Sequence, residues 1–368
     1  MKYFFNLVKN IDRLLLVCPL LFALVSVTMI SSITYKDDVF FSRATIVQAA
    51  AYLIGYVAIA VVLLFDYKIF ERYEKHLYVL ALLFQLTVYT PLGTTMNTGS
   101  RAWIDLGVTT MQPSEMVKII FVIVFANYLS RNREGLGTFK GVCLCGLYAA
   151  PFLGVIMKED FGSGLVLAVM CAGMVFYAGI DRRIMTRLFV AFLAAIPIAY
   201  RFMAGYQKQR IDAFLHPENL SIEATFHVNQ AKIAIGSGGF FGKGLFSGTQ
   251  KELNFLPVQE SDFIFAVTVE ELGFIGGAFV LLLYLVFLAR MWRGVARAKD
   301  MYGSLIIVGM LTMIAFQVFE NIGMNMGVMP VTGIPLPFVS SGGTAVVANM
   351  LALGFVLNVG IRNKTINF

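Results

Sequence analysis

Residues 260–299 read ESDFIFAVTVEELGFIGGAFVLLLYLVFLARMWRGVARAK. Two carboxylates, Glu260 and Asp262, open an apolar run that lasts to about residue 289, and Arg290, Arg293, Arg297 and Lys299 close it. The hydrocarbon core of a bilayer, about 30 Å thick, takes about 20 apolar residues of helix. The stretch therefore reads as a membrane-crossing helix with acid at one rim and positive charge at the other. Runs of the same kind recur at 14–34, 44–65, 76–92, 113–130, 141–157, 161–180, 187–204, 303–328 and 338–360, making ten spans with that at 262–289.

Composition agrees. The chain has 368 residues, 58% of them hydrophobic and 14% charged, with a mean hydropathy of +0.76, which is outside the range of soluble domains. The expectation is an all-α integral membrane protein, a polytopic bundle of about ten transmembrane helices in a single domain, 1–368. The first run is long, lacks a small-residue cleavage site and is followed by nine more, so it reads as an uncleaved helix, not a signal peptide. Cys18, Cys143, Cys145 and Cys171 lie in or beside apolar runs and read as packing residues. His76, His216 and His227 have no ligand spacing, and no residue is assigned to a metal.

A net charge of +7 would suit nucleic acid, but the basic residues sit at the ends of the apolar runs. Lys2, Lys9 and Arg13 precede the first span. Lys68, Arg72 and Lys75 follow the second, Arg131, Arg133 and Lys140 the fourth, and Arg182, Arg183 and Arg187 the sixth. With the four basic residues after the eighth span, and Arg362 and Lys364 after the tenth, they fall on one side. The opposite short loops hold Lys36, Arg43, Arg101 and Lys158. By the positive-inside rule both termini are cytoplasmic, and residues 205–261 form one long extracytoplasmic loop. Phe214-Leu215, Ile233-Ala234-Ile235 and Phe255-Leu256-Pro257 predict that this loop packs on the bundle, and loops of this size usually carry function.

Ionisable groups at the rims of spans are costly and mark function by default. Glu115 and Lys118 share a helical face at the start of the fourth span, either as a self-neutralising anchor or as a functional pair. Lys158-Glu159-Asp160 is a rim turn between the fifth and sixth spans. Asp262 stands before an apolar helix, where it either caps the N-terminus or serves as a general base. Between the ninth and tenth spans, residues 327–344 hold Pro330, Pro335 and Pro337 with four glycines and cannot be continuous helix. Irregular backbone at membrane depth is tolerated only where it is buried or lines a cavity. The stretch Ser340-Ser341-Gly342-Gly343 offers backbone N–H groups suited to a phosphate.

Together these stretches resemble the SEDS family (shape, elongation, division and sporulation). The resemblance rests on Asn321-x-Gly323-Met324 and on Pro330-x-Thr332-Gly333-x-Pro335-x-Pro337-Phe338-x-Ser340-x-Gly342-Gly343. It extends to Gly99, Trp103 and Gly107 with Gln112-Pro113-Ser114-Glu115-x-x-Lys118, and to Arg210-Ile211, Phe214, Pro217, Ala234-Ile235-Gly236-Ser237-Gly238-Gly239 and Gly242-Lys243-Gly244. Gly248-Thr249-Gln250 with Phe255-Leu256-Pro257 is more similar to the RodA branch than to the division branch. The chain departs from the family pattern at Glu260-Ser261, where His-Thr is usual, at Thr344-Ala345 and at Ala102.

The resemblance implies a peptidoglycan glycosyltransferase that polymerises lipid II at the outer face of the bacterial cytoplasmic membrane for elongation and rod shape. It implies that Asp262 is catalytic, with Glu115, Lys118, Trp103 and Asp160 near the substrate. Lys118, Arg210 and Lys243 are the candidate cations for a pyrophosphate leaving group, and Ser340 and Gly342 the anion-holding turn. No cofactor is assigned; a divalent cation, Mg or Mn, sharing that charge stays open. Implied partners are a class B penicillin-binding protein, the elongation machinery and membrane lipid, with no nucleic acid. The alternative is a flippase or transporter for a lipid-linked precursor, which would use the same charges near the midplane.

Overall fold

The computed structural model describes residues 11–35, 40–95, 101–105, 107, 110–203, 205–218, 223–253, 255, 256 and 258–362. Lys2, Lys9, Lys36, Gly99, Pro257 and Lys364 lie outside them. Helices occupy all ten predicted segments. They are α1 (Arg13–Thr34), α2 (Arg43–Leu64), α3 (Glu74–Leu86), α4 (Pro113–Arg131), α5 (Phe139–Glu159), α6 (Phe161–Ala178), α7 (Arg182–Phe202), then α8 (Gly205–Leu215) and α9 (Glu223–Ser237) in the long loop, and α10 (Ile264–Arg297), α11 (Met301–Met326) and α12 (Gly343–Ile361). Eight of them, all but α3, α7, α8 and α9, are long and apolar enough to cross a membrane.

Local chemistry sets the ends. Asp12, Ser42, Asp160, Asp181 and Asp300 each accept a hydrogen bond from a free N–H in the first turn of the helix that follows. Pro113 opens α4, where its missing N–H costs nothing. The tenth segment becomes helical only at Gly343, not at residue 338, because Pro335 and Pro337 keep the preceding chain irregular.

At the centre stands α11, packed on α4, α6 and α10, while α12 lies along α2. Leu24, Leu53 and Leu147 point outward, as lipid-facing residues do. Nearly all of α7 is exposed, including Phe189, Val190 and Phe192. In the long loop Ala234 and Leu256 are buried, but Phe214, Leu215, Ile233 and Phe255 are exposed. This corrects the expectation for those four. Neighbouring residues on a helix face different ways, so Ala234 meets the bundle and Ile233 does not.

One end of the bundle gathers the basic residues into ion pairs: Arg290 with Asp12 at 3.8 Å, Lys68 with Asp300 at 2.8 Å and Arg362 with Asp66 at 3.1 Å. At the other end a small antiparallel sheet, β1 (Gly93–Thr94), β2 (Trp103–Asp105) and β3 (Thr110–Met111), lies beside the start of α12, where Thr344 Oγ1 donates to Thr110 O.

The long loop is fastened to α10 at a break in that helix. Gly273 has φ +69 and ψ −168, so the carbonyls before it and the N–H groups after it lose helical partners. The loop replaces them: Lys243 N and Gly244 N donate to Glu270 O and Glu271 O at 3.0 Å each, and Phe274 N and Ile275 N donate to Gly239 O and Phe240 O at 2.9 and 3.3 Å. The backbones approach so closely that a Cβ on Gly273 would lie 2.3 Å from Gly242 N. Gly273→Ala is therefore expected to lower stability by at least the 1–3 kcal/mol typical of one strained residue, measured by thermal melting in detergent. Gly236→Ala, which meets open space on α9, should melt like wild type; equal melting of both variants would contradict the docking.

Candidate active site

Asp262 lies just before α10 and is half-buried. Its backbone is held at three consecutive carbonyls. Ser341 N donates to Glu260 O at 2.7 Å, Ser340 Oγ donates to Ser261 O, and the Nδ2 groups of Asn321 and Asn325 donate to Asp262 O at 3.1 and 2.9 Å. Both asparagines project from α11 and are fully buried.

The carboxylate itself is not used as a cap. The N-cap position of α10 is Phe263, with no side-chain cap bond, and Ala266 N in the first turn donates to Asn325 Oδ1 at 3.2 Å. Among the described residues four other aspartates do cap. The Asp262 carboxylate instead accepts from Ser261 Oγ at 2.9 Å. Burial pushes its pKa above the usual carboxylate range; the Ser261 bond and the Arg210 charge oppose that shift, and Asp160 and Glu260 reinforce it.

Arg210, on α8, donates from Nη1 to Thr332 O at 2.8 Å. Gly333 next to it has φ +74, and a Cβ there would stand 3.5 Å from Asp262 Oδ2 and 3.8 Å from Arg210 Nη1. Glycine thus supplies the left-handed turn and leaves the two charges open to each other. Asp160 reaches the same turn from α6: it accepts from Ser163 N and Oγ and from Gln112 Nε2, the last at 2.8 Å. Gly162 sits against Thr332 O. The irregular segment 327–342 is therefore the hub that joins Asp262, Arg210 and Asp160.

In the first two turns of α4, Lys118 Nζ meets Glu115 Oε1 at 2.7 Å, with the side chains 1% and 5% exposed. At that burial the pair is no solvated surface anchor. Trp103 is half-buried in β2 at this same end of the bundle, where Glu159 at the end of α5 accepts from Arg101 N at 3.2 Å.

Two sequence expectations change. Lys243 donates to Glu270 Oε1 and to Thr249 Oγ1, each at 2.7 Å, and Glu270 is fully buried. Glu270 lies eight residues from Asp262, about 12 Å along a helix. Lys243 thus fastens the loop to α10 and is not drawn to Asp262. The N–H groups of Ser340, Ser341 and Gly342 do not wait for an anion: they donate to Leu336 O, Glu260 O and Gln48 Oε1. Ser340 N closes a local turn on Leu336 O, while Ser341 N and Gly342 N, outside any helix, bond to other segments.

Sequence reasoning passed over Glu270, Glu271 and Glu320, all fully buried. Ser32 Oγ donates to Glu271, and Thr332 Oγ1 to Glu320 Oε1 at 2.8 Å. Their signal was present, since each is a carboxylate inside a predicted span. Gln48 and Asn325 gave no such signal. Among the described residues no three His, Cys, Asp or Glu side chains gather into a metal cage.

Residues 7–365 match the family model FTSW_RODA_SPOVE, described as cell cycle protein. The chain is 35% identical over 361 residues to the stage V sporulation protein E of Bacillus subtilis (strain 168), covering 95% of this chain and 96% of that protein. It is also 35% identical over 303 residues to the peptidoglycan glycosyltransferase MrdB of Escherichia coli (strain K12), covering 82% and 81%. A solved chain from work on structural coordination of polymerization and crosslinking by a peptidoglycan synthase complex superposes with a TM-score of 0.80 at 25% identity, over 95% of this chain and 97% of that one.

The buried pair on α4 gives a sharp expectation. Removing one partner strands the other charge, so Glu115→Ala and Lys118→Ala should each cost on the order of 3–5 kcal/mol. Replacing both, as Glu115→Leu with Lys118→Met, should restore most of the melting temperature. Single variants that melt like wild type would show that the pair is not desolvated.

Proposed function

The chain belongs to the FtsW, RodA and SpoVE family of cell cycle proteins, and from that premise we propose that it is a peptidoglycan glycosyltransferase that polymerises lipid II with Asp262 as general base. The observation that supports the reading is a carboxylate that does no capping: Asp262 stands one residue before the N-cap position, Phe263, and the first-turn N–H of Ala266 goes to Asn325 instead. The rise in its pKa moves it toward the range useful for a base.

The reaction joins the 4-hydroxyl of one lipid-linked disaccharide to the anomeric carbon of another. Asp262 takes the hydroxyl proton, the new C–O bond forms, and the bond to the lipid pyrophosphate breaks with its electrons staying on the phosphate. Arg210, beside Asp262, is the cation best placed to offset that charge. Glu115, Lys118, Trp103 and Asp160 lie at the same end of the bundle and are the other residues assigned to the substrate side. Ser340 and Gly342 act on the substrate only indirectly, by holding the backbone of the site.

This end faces the outer compartment, with both termini cytoplasmic and the ion-paired basic end inside, in keeping with the distribution of Lys and Arg. The RodA-like loop sequence supports a role in elongation and rod shape. A class B penicillin-binding protein is the proposed partner, supported by likeness to a chain of a complex that polymerises and crosslinks. Glu115, Asp160 and Asp262 stand at that one end, an arrangement that favours surface catalysis over alternating access, which would place the site at mid-membrane.

Two outcomes follow. Purified protein given lipid II should release glycan polymer in detergent, where no second compartment exists. In liposomes, headgroup movement across the bilayer without polymer would establish the transporter instead. Since Asp262 must be deprotonated to act, kcat should fall as pH drops through its raised pKa, at a higher pH than an ordinary aspartate titrates. Arg210→Gln removes a charge that lowers that pKa, so the acid limb should move to still higher pH; an unmoved limb would detach Arg210 from the base.

A further inference from the structure

Asn321 and Asn325 are one turn apart in the last two turns of α11, buried within the bundle and without exposure to solvent. Buried amides are costly unless every polar atom is used. Here the atoms join three segments. Asn321 Nδ2 donates both to Asp262 O and to Ile334 O, the latter at 2.8 Å. Asn325 Nδ2 donates to Asp262 O and to Asn321 O, while its Oδ1 accepts from Ala266 N. Two side chains thus converge on a single carbonyl, and it belongs to the residue whose carboxylate is the base.

Fold maintenance alone does not require that choice. Ala266 N needs an acceptor because it lies in the first turn of α10, and Asn325 Oδ1 meets the need. The Asp262 carbonyl is another matter. A carbonyl has two acceptor positions, and here both are filled from α11, which fixes the peptide that follows Asp262. With Ser340 Oγ on the preceding carbonyl and Ser261 Oγ on the carboxylate, the side chain has little freedom left. A base must lie within hydrogen-bond reach of the proton it takes, and a misplacement of about 1 Å can cost on the order of 10²-fold in rate.

We propose that Asn321 and Asn325 are positioning residues for the transfer reaction, holding the carbonyl of Asp262 so that its carboxylate points at the acceptor hydroxyl. The role rests on the reading of Asp262 as base. It predicts a particular kinetic signature, because neither amide is placed to touch the substrate.

The test is steady-state polymerisation of lipid II by purified Asn321→Ala and Asn325→Ala, per folded molecule, with Asn321→Ser and Asn325→Ser in their place should either alanine variant not fold. Expected is a fall in kcat of about ten-fold or more with KM within about two-fold of wild type, in line with lost orientation and kept binding. In an Asp262→Asn background the asparagine substitutions should cause no further loss, since there is no base left to aim. Unchanged kcat per folded molecule, or losses that multiply in that background, would overturn the positioning role and leave the base intact. Full turnover by Asp262→Asn alone would remove the base and this role with it.

Discussion

A peptide carbonyl inside an apolar bundle has no water to turn to, and the segment 327–342 carries many such groups outside any helix. From Pro337 to Ser340 four consecutive carbonyls are each met by a side chain from elsewhere: Tyr284 on α10, Tyr52 on α2, Ser26 on α1 and Gln48 on α2. Thr332 O is met by Arg210 and Ile334 O by Asn321. Phe338, held at φ +66, packs its ring against Phe22 and Phe287. The helices are thus tied together through a segment that is not itself helical, and its prolines are what make the ties necessary.

The site is a consequence of the same constraint. A segment that must be satisfied by many helices brings groups from many helices to one place. Arg210 arrives from the long loop because Thr332 O needs a donor, and Asn321 bonds both Ile334 O and Asp262 O. The loop is not loosely attached, because the break at Gly273 exchanges backbone hydrogen bonds with it and Lys243 closes on Glu270. Preorganisation of this sort lets dipoles and charges face a developing transition state without first rearranging.

Much of this was legible in the amino-acid sequence. Apolar runs of span length located the ten helical segments, because in lipid a backbone has few other ways to satisfy itself. The three prolines announced an irregular segment between the last two helices, and the spacing of Glu115 and Lys118 announced a pair on one helical face, though not its burial. What could not be read were partnerships set by the tertiary fold. Lys243 looked like a free cation because its partner, Glu270, is distant in sequence, and the N–H groups of Ser341 and Gly342 looked available because Glu260 O and Gln48 Oε1 come from other segments. For Asp262 the sequence left cap and base open, and the position of Asn325, which takes the first-turn N–H of Ala266, speaks against the cap.

Asn caps a helix about as well as Asp but cannot take a proton. Timed lipid II polymerisation by purified Asp262→Asn, with its melting compared to wild type, sets the two roles against each other. As a base, Asp262 makes turnover of the variant lower by roughly 10²-fold or more in a protein that melts as wild type does. Near-normal turnover by a well-folded Asp262→Asn would contradict that role.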